Sequence, residues 1–208
     1  PTFALAMGLF DKPAWDALSP ERPLRALHLI EITQPGALPL TSSPLRADER
    51  IVSYIKGLNY LDNRLTPLFL PLDDAVYVEV NLPDTQQYMA ETIQLFINQA
   101  SGKRAGLIQV QLAGADGLSK QMVAVQAVRL LAHPVHLLRL PVEWLPIQAT
   151  ELELLARLWE RERVLLGLGL YLDARESSDG PGSDAQAPPL QRLIQSFFPS
   201  ACLPFQAR

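Results

Sequence analysis

The chain's pattern predicts an α/β fold built on a parallel sheet, preceded by a small helical module. Three observations carry this. From Thr85 onward, stretches with helical spacing alternate with short apolar stretches, the order that right-handed parallel crossovers produce. One of these, VLLGLGLYLD at 164–173, is apolar on both faces, as suits a strand in the centre of a sheet covered by helices. Residues 1–70 have a different texture, rich in proline and in helix-start signals, without that alternation.

Taken in order, Pro1 to Leu9 is a short apolar segment, and Asp11-Lys12-Pro13 and Ser19-Pro20-Glu21 are helix caps or turns. Leu24 to Ile32 has apolar residues at 24, 27, 29, 30 and 32, which fits a short helix and leaves a strand open. Gln34-Pro35-Gly36 is a turn. After Ser43-Pro44, positions 51, 52, 55 and 58 follow helical spacing, with Gly57 at or near the helix end, and Tyr60, Leu61 and Leu65 start a further helical turn. Short helices and tight proline turns suggest a helical or winged-helix-like module over 1–70. Pro67, Pro71, Pro83 and Asp73-Asp74 mark a linker, placed at 71–84, with VYVEV at 76–80 as an edge strand inside it.

The remainder, 85–208, is the α/β part. Its expected elements are a helix at 85–101, a strand at 107–113, a helix at 119–132, a strand at 135–140, a helix from Thr150 to Arg163 and the strand at 164–173. Residues 174–188 are flexible by composition, 190–198 form a short helix, and 201–206 begin a fourth strand.

The bounds are simple. The 208 residues hold one large or two small domains, and 48% hydrophobic content is enough for a sizeable core. A formal charge of −4 argues against a general nucleic-acid binder, which is usually basic. The lone cysteine, Cys202, excludes a disulfide framework and a cysteine metal cluster, and fits a reducing, cytoplasmic setting. No stretch reaches the ~18 apolar residues of a membrane span, and the N-terminus lacks the layout of a signal peptide. Because the chain begins at Pro1 and its last residues resemble a strand cut short, it is expected to be a piece of a longer protein.

The strongest chemical pattern is LIQVQLAGADGLSKQ at 107–121. An apolar strand, a glycine loop and a lysine at the mouth of a helix are the layout of a phosphate-binding loop, whose spacing is G-x-x-x-x-G-K-[ST]. Gly114 and Lys120 stand in register, but Ser119 replaces the second glycine and Gln121 the hydroxyl residue. Such a loop works because backbone N–H groups and a helix N-terminus converge on phosphate oxygens, while the lysine adds charge and the hydroxyl holds Mg²⁺. The nucleotide-binding candidates are therefore Gly114, Asp116, Gly117, Ser119, Lys120 and Gln121, with ATP and Mg²⁺ as the implied ligands. About 50 residues on, Asp173 ends the apolar strand where the Mg²⁺-binding carboxylate of such a fold belongs. It is the metal candidate. Together these predict a partial P-loop NTPase-like, three-layer parallel sheet over 85–208. An ordinary strand-to-helix turn and a strand-ending Asp173 are the plain alternatives.

Three substitutions fall on three tasks: Ser119 on the loop backbone, Gln121 on the metal ligand, and Ala174 on the position where an acid would orient water, the nearest acid being Glu176. All three together make hydrolysis in this region unexpected, and no catalytic residue is assigned. His28 reads as a core or boundary residue in a helix, and His133 and His136 flank a proline that spoils metal geometry. RLWERER at 157–163 reads as a solvated helix face, or as a subunit contact in which Arg161 or Arg163 reaches a neighbour's nucleotide. Trp15, Trp144 and Trp159 read as packing residues, and Asp48-Glu49-Arg50 as an acidic first helical turn.

The N-terminal stretch carries a resemblance. P-T-F at 1–3, W-x-A-L-[ST]-P-x-R-P-L-R at 15–25, and P-L-R-x-D-E-R-[IV]-x-x-Y-x-x-G-x-x-x-L-D-x-R-L at 44–65 resemble a family of bacterial AAA+ ATPases found beside contractile injection systems. The resemblance covers 1–65 strongly and 105–175 moderately. It implies a winged-helix-like region, a degenerate ATPase-like domain, and a second AAA+ domain with intact motifs towards the C-terminus. The expected role is a non-hydrolysing region for assembly or partner recognition. Its partners would be its own C-terminal ATPase domain, further copies in a hexamer, and a protein substrate or injection-particle component. ATP hydrolysis would belong to the full-length protein. Two other readings stand beside it: a nucleotide-binding ATPase domain with an atypical loop, and a winged-helix regulator binding DNA. The acidic balance, and an ADERIVSYIKGLNY helix without a basic face, count against the last.

Overall fold

The structure is a computed structural model, and it describes residues 1–33, 36, 38–72, 82–101, 108–174 and 205–207. The N-terminal part begins with α1 (Phe3–Leu9), whose first turn is capped by the Thr2 hydroxyl accepting from the Leu5 amide. A 3₁₀ turn at Trp15–Leu18 leads to α2 (Pro23–Ala26), with Pro23 at the first helical position where its missing N–H costs nothing. The helix expected through Ile32 stops there. His28 takes a positive φ of 51°, the chain reverses, and β1 (Ile30–Ile32) pairs antiparallel with β2 (Leu45–Ala47). Apolar residues at 27, 29, 30 and 32 serve a strand as well as a helix, and the cross-strand partner decides between them.

Asp48 then caps α3 (Glu49–Ile55), its carboxylate accepting from the Arg50 amide at 3.0 Å. Gly57 follows the helix end with φ 86°, the left-handed conformation that glycine adopts without strain. The further helical turn expected from Tyr60 is a run of turns around Asp62 and Leu65.

β3 (Leu70–Pro71) pairs antiparallel with β5 (His136–Pro141), so the first part of the chain is hydrogen-bonded into the sheet of the second. β5 pairs in parallel with β6 (Leu168–Asp173), giving the order β3-β5-β6. A separate parallel pair joins β4 (Val110–Leu112) to β7 (Phe205–Ala207). The expected single parallel sheet is thus not formed among the described residues. They make three small sheets in a mixed α/β arrangement, and β6 is an edge strand instead of a central one.

Three long helices cover these sheets. α4 (Asp84–Ser101) lays Met89, Ala90, Ile93 and Ile97 against α5 (Gly117–Arg129), which answers with Val123 and Ala127. The i, i+4 and i+3 spacing on both is the ordinary amphipathic stripe. α6 (Ala149–Leu166) buries Leu152, Leu155, Ala156 and Trp159 on one face. The Trp159 ring stacks on Phe69 with centroids 4.9 Å apart, inside the largest apolar cluster, which also holds Leu65, Leu140 and Leu158. The strand expected from Val164 begins only at Leu168. Val164, Leu165 and Leu166 extend the helix until Gly167, at φ 65°, caps it in the left-handed conformation. Trp159 packs as expected, whereas Trp15 is 69% exposed and meets Phe3 edge-on, and Trp144 is 42% exposed.

VYVEV at 76–80, Glu176, Cys202 and the helix expected at 190–198 lie outside the described residues. No helix among the described residues is long and apolar enough to cross a membrane.

Candidate functional site

The expected phosphate loop is a four-residue turn, 113–116, between β4 and α5. Gly114 sits at φ 143°, a conformation that disfavours any side chain. α5 starts at Gly117, so Leu118, Ser119 and Lys120 follow inside its first turns, and Lys120 donates its amide to the Asp116 carbonyl at 3.3 Å. Asp116 is the N-cap. Its carboxylate accepts from the Leu118 amide at 3.0 Å and from the Ser119 hydroxyl. These bonds, with the Lys120 charge behind them, hold its carboxyl below the usual range. Gln86 of α4 donates to the Ser119 hydroxyl at 3.2 Å and ties the helix pair to the turn.

Asp173, at the end of β6, is buried and accepts from Arg139 of β5, at 2.8 Å from Nε and again from Nη2. A guanidinium therefore already neutralises the carboxylate proposed for a metal. Among the described residues no group of three His, Cys, Asp or Glu side chains stands together as a metal site. β4 and β6 belong to different sheets here, so the sheet pairing itself does not join the loop candidates to Asp173.

A second concentration of charge lies between the N-terminal part and α6. Arg50, Asp48, Asp62, Arg161 and Glu162 are each at most 4% exposed and lie together where α3 and the Asp62 turn meet α6. Arg50 Nε donates to Glu162 at 3.0 Å, and Arg161 Nε donates to the other oxygen of the same carboxylate at 3.0 Å. Arg161 also donates to Asp62 and, at 2.9 Å, to the His28 carbonyl, and it stands 3.5 Å from Asp48. Arg64 closes the set, 2.9 Å from Asp48 and 2.6 Å from Asp62. Three carboxylates thus meet three guanidiniums. The Arg50 Nη2 group, buried without a hydrogen-bond partner, belongs to a guanidinium lying over the Tyr60 and Tyr54 rings at 4.9 and 5.6 Å. RLWERER is accordingly not a solvated face, because Arg161 and Glu162 point inward. Arg163 pairs with Glu160 on the same helix.

The cluster tunes its members. Burial pushes the Glu162 carboxyl up, against the pull of Arg50 and Arg161. Burial also raises Asp62, but the hydrogen bonds and charge of Arg64, with Arg161, carry it below its ordinary value. His28 is lowered, first by burial and then by the charges of Arg64, Arg157 and Arg161. Above the cluster lies an open cleft of about 300 Å³, lined by Glu31, Arg46, Glu49, Tyr60, Asn63 and Arg64. Asp48, Arg50, Asp62 and Arg64 are four of the six charged positions of the 44–65 motif, and the other two, Arg46 and Glu49, line the cleft, so the motif that stands out in the sequence is largely the imprint of this junction.

Residues 14–69 match the family of the winged helix domain, variant. No curated protein matches the chain. No solved structure matches it either.

Proposed function

We propose that the chain is the non-hydrolysing N-terminal region of a AAA+ ATPase, in which a winged-helix module and a degenerate ATPase-like part form one platform for assembly or partner recognition. The division at 71–84 and a cytoplasmic, hexameric setting are parts of the same proposal. The match over 14–69 supports the module. The parallel pairs β4·β7 and β5·β6, and the order strand, glycine turn, helix, support an ATPase-like ancestry for the rest.

The observation that carries the recognition role is how α3 is turned. Its one arginine, Arg50, is buried against Glu162, while Val52 and Ile55 face solvent at 44% and 74% exposure. A helix that reads a DNA groove needs cationic and polar groups outward. This one offers apolar groups, and residues 14–69 carry six acidic and six basic side chains, so no electrostatic attraction to phosphate is built in. The outward face suits a protein partner, and the ATPase domain of the same chain is the partner proposed.

Phosphate release from ATP tests the hydrolytic half: the chain and its Lys120→Ala variant should show the same background, and Lys120-dependent turnover would sink the proposal. Anisotropy with a labelled random duplex tests the other half. Binding that weakens steeply with salt would favour the DNA-regulator reading instead.

A further inference from the structure

Mg-ATP is the ligand that the loop pattern at 114–121 and the strand-ending Asp173 imply. Phosphate needs the N–H groups at the start of α5, together with room above them. Mg²⁺ needs a carboxylate with open lone pairs at a strand end. In the structure a carboxylate of the chain, Asp116, already takes the Leu118 N–H and the Ser119 hydroxyl at the helix start. A cation of the chain, the Arg139 guanidinium, already takes Asp173 through two of its nitrogens. Each position thus holds a group with the charge of the ligand it would otherwise receive, an anion for the phosphate and a cation for the metal. The residues present do not fit Mg-ATP.

We infer that these two positions are filled permanently by the chain's own charges, so that the α/β region holds its shape with neither nucleotide nor metal. This rests on the non-hydrolysing reading and goes further, because a region can bind nucleotide without hydrolysing it. The physical reason is competition. An external phosphate would have to displace a tethered carboxylate whose effective concentration at the helix start is set by one bond rotation, and it would meet that negative charge at contact distance. Lys120, in register with the loop lysine, adds its charge to the field that holds Asp116 ionised. A divalent ion at Asp173 would have to displace a guanidinium whose Nε and Nη2 both donate to Oδ2 of a buried carboxylate, and would meet its positive charge at contact distance.

The test uses the whole chain. A fluorescent ATP analogue is titrated with and without Mg²⁺, and Mn²⁺ is titrated alone and followed by electron paramagnetic resonance. The expected result is no saturable binding of either and no movement of the thermal midpoint. Saturable nucleotide binding lost in Lys120→Ala, or one Mn²⁺ per chain lost in Asp173→Asn, overturns the inference. Nucleotide binding without phosphate release would leave the non-hydrolysing proposal standing, whereas Lys120-dependent release would end both. In the absence of any ligand, Asp116→Ala and Arg139→Met should each lower the midpoint, by roughly 2–4 °C per kcal/mol lost in a chain of this size. Asp116→Ser, which keeps a cap without its charge, should recover most of the first loss. Unchanged midpoints in both primary variants would show that neither side chain fills a structural position, and would overturn the inference.

Discussion

The chain gathers charge in two places and builds them in opposite ways. At the turn before α5 the hydrogen bonds of Asp116 are local, reaching two to four residues along the chain, in open solvent. At the junction of α3 with α6 the contacts span 112 residues from Arg50 to Glu162 and 99 from Arg161 to Asp62, and these four side chains are buried. The fold depends on tertiary structure at the junction and on local structure at the turn. The turn organises one helix end. The cluster fixes how the winged-helix module sits against α6, and neither side is complete alone: without α6, Arg50 loses its carboxylate, and Asp48 and Asp62 lose Arg161.

The largest effect is expected of Arg161→Ala. It leaves Asp48, Asp62 and Glu162 buried with one guanidinium fewer and exposes the His28 carbonyl to an unfilled space. Breaking a buried pair by removing one partner typically costs about 3–5 kcal/mol, far more than an exposed pair. Urea unfolding of Arg161→Ala, beside Arg157→Ala of the exposed Glu153 pair, should show a large drop in the first and a change below about 1 kcal/mol in the second. Equal losses would mean the junction is no more than a surface network. Well-packed apolar groups would stabilise the junction equally well. What the ions add is specificity of docking, because they fix an orientation that leucines would leave loose.

What could be read in the sequence divides along the same line. The bodies of α4, α5 and β5 came through in the periodicity, because each has one apolar face and local signals at its ends. The α6–β6 boundary did not, because Val164, Leu165 and Leu166 suit either element and only Gly167 settles it. The junction was half visible. Asp48, Arg50, Asp62 and Arg64 stood in a conspicuous motif, but nothing near 161–162 names them as partners, so RLWERER read as a wet face. At the turn, Asp116 with Ser119 three residues on is a cap pattern that the sequence does hold. The glycines drew attention to phosphate instead.

A subtler test uses pH. The folded-state pKa of His28 lies below its ordinary value of 6.5, so below neutrality the unfolded chain binds more protons and stability falls as pH drops. Glu162 works the other way: its raised pKa makes the folded chain hold the extra proton, so its share of stability is lost as pH rises above the ordinary carboxylate value of 4.5. Asp62, lowered, matters only below 3.8. His28→Asn separates the first two, because asparagine tolerates the positive φ and does not titrate. Between pH 7.5 and 5.5 the wild type should lose stability and His28→Asn should not. A parallel slope in both would place the titration elsewhere.

The smallest effect belongs to the turn. Asp116→Ala removes the acceptor for the Leu118 N–H and the Ser119 hydroxyl, and with it the N-cap of α5, so the start of that helix should fray. Because those contacts are local and exposed, the loss should stay within α5 and its partner α4, which Gln86 ties to the same Ser119. Hydrogen exchange can separate that from a global effect. Protection should fall in the first turn of α5 and along its contact with α4, while amides of α3 and α6 keep theirs. If Asp116→Ala instead loosens α3 and α6 as strongly as Arg161→Ala does, the two charge centres are coupled through the sheet, and the turn is a remote part of the junction. If only α5 responds, each centre does its own work, and the turn keeps the geometry of a phosphate loop for the sake of a helix start.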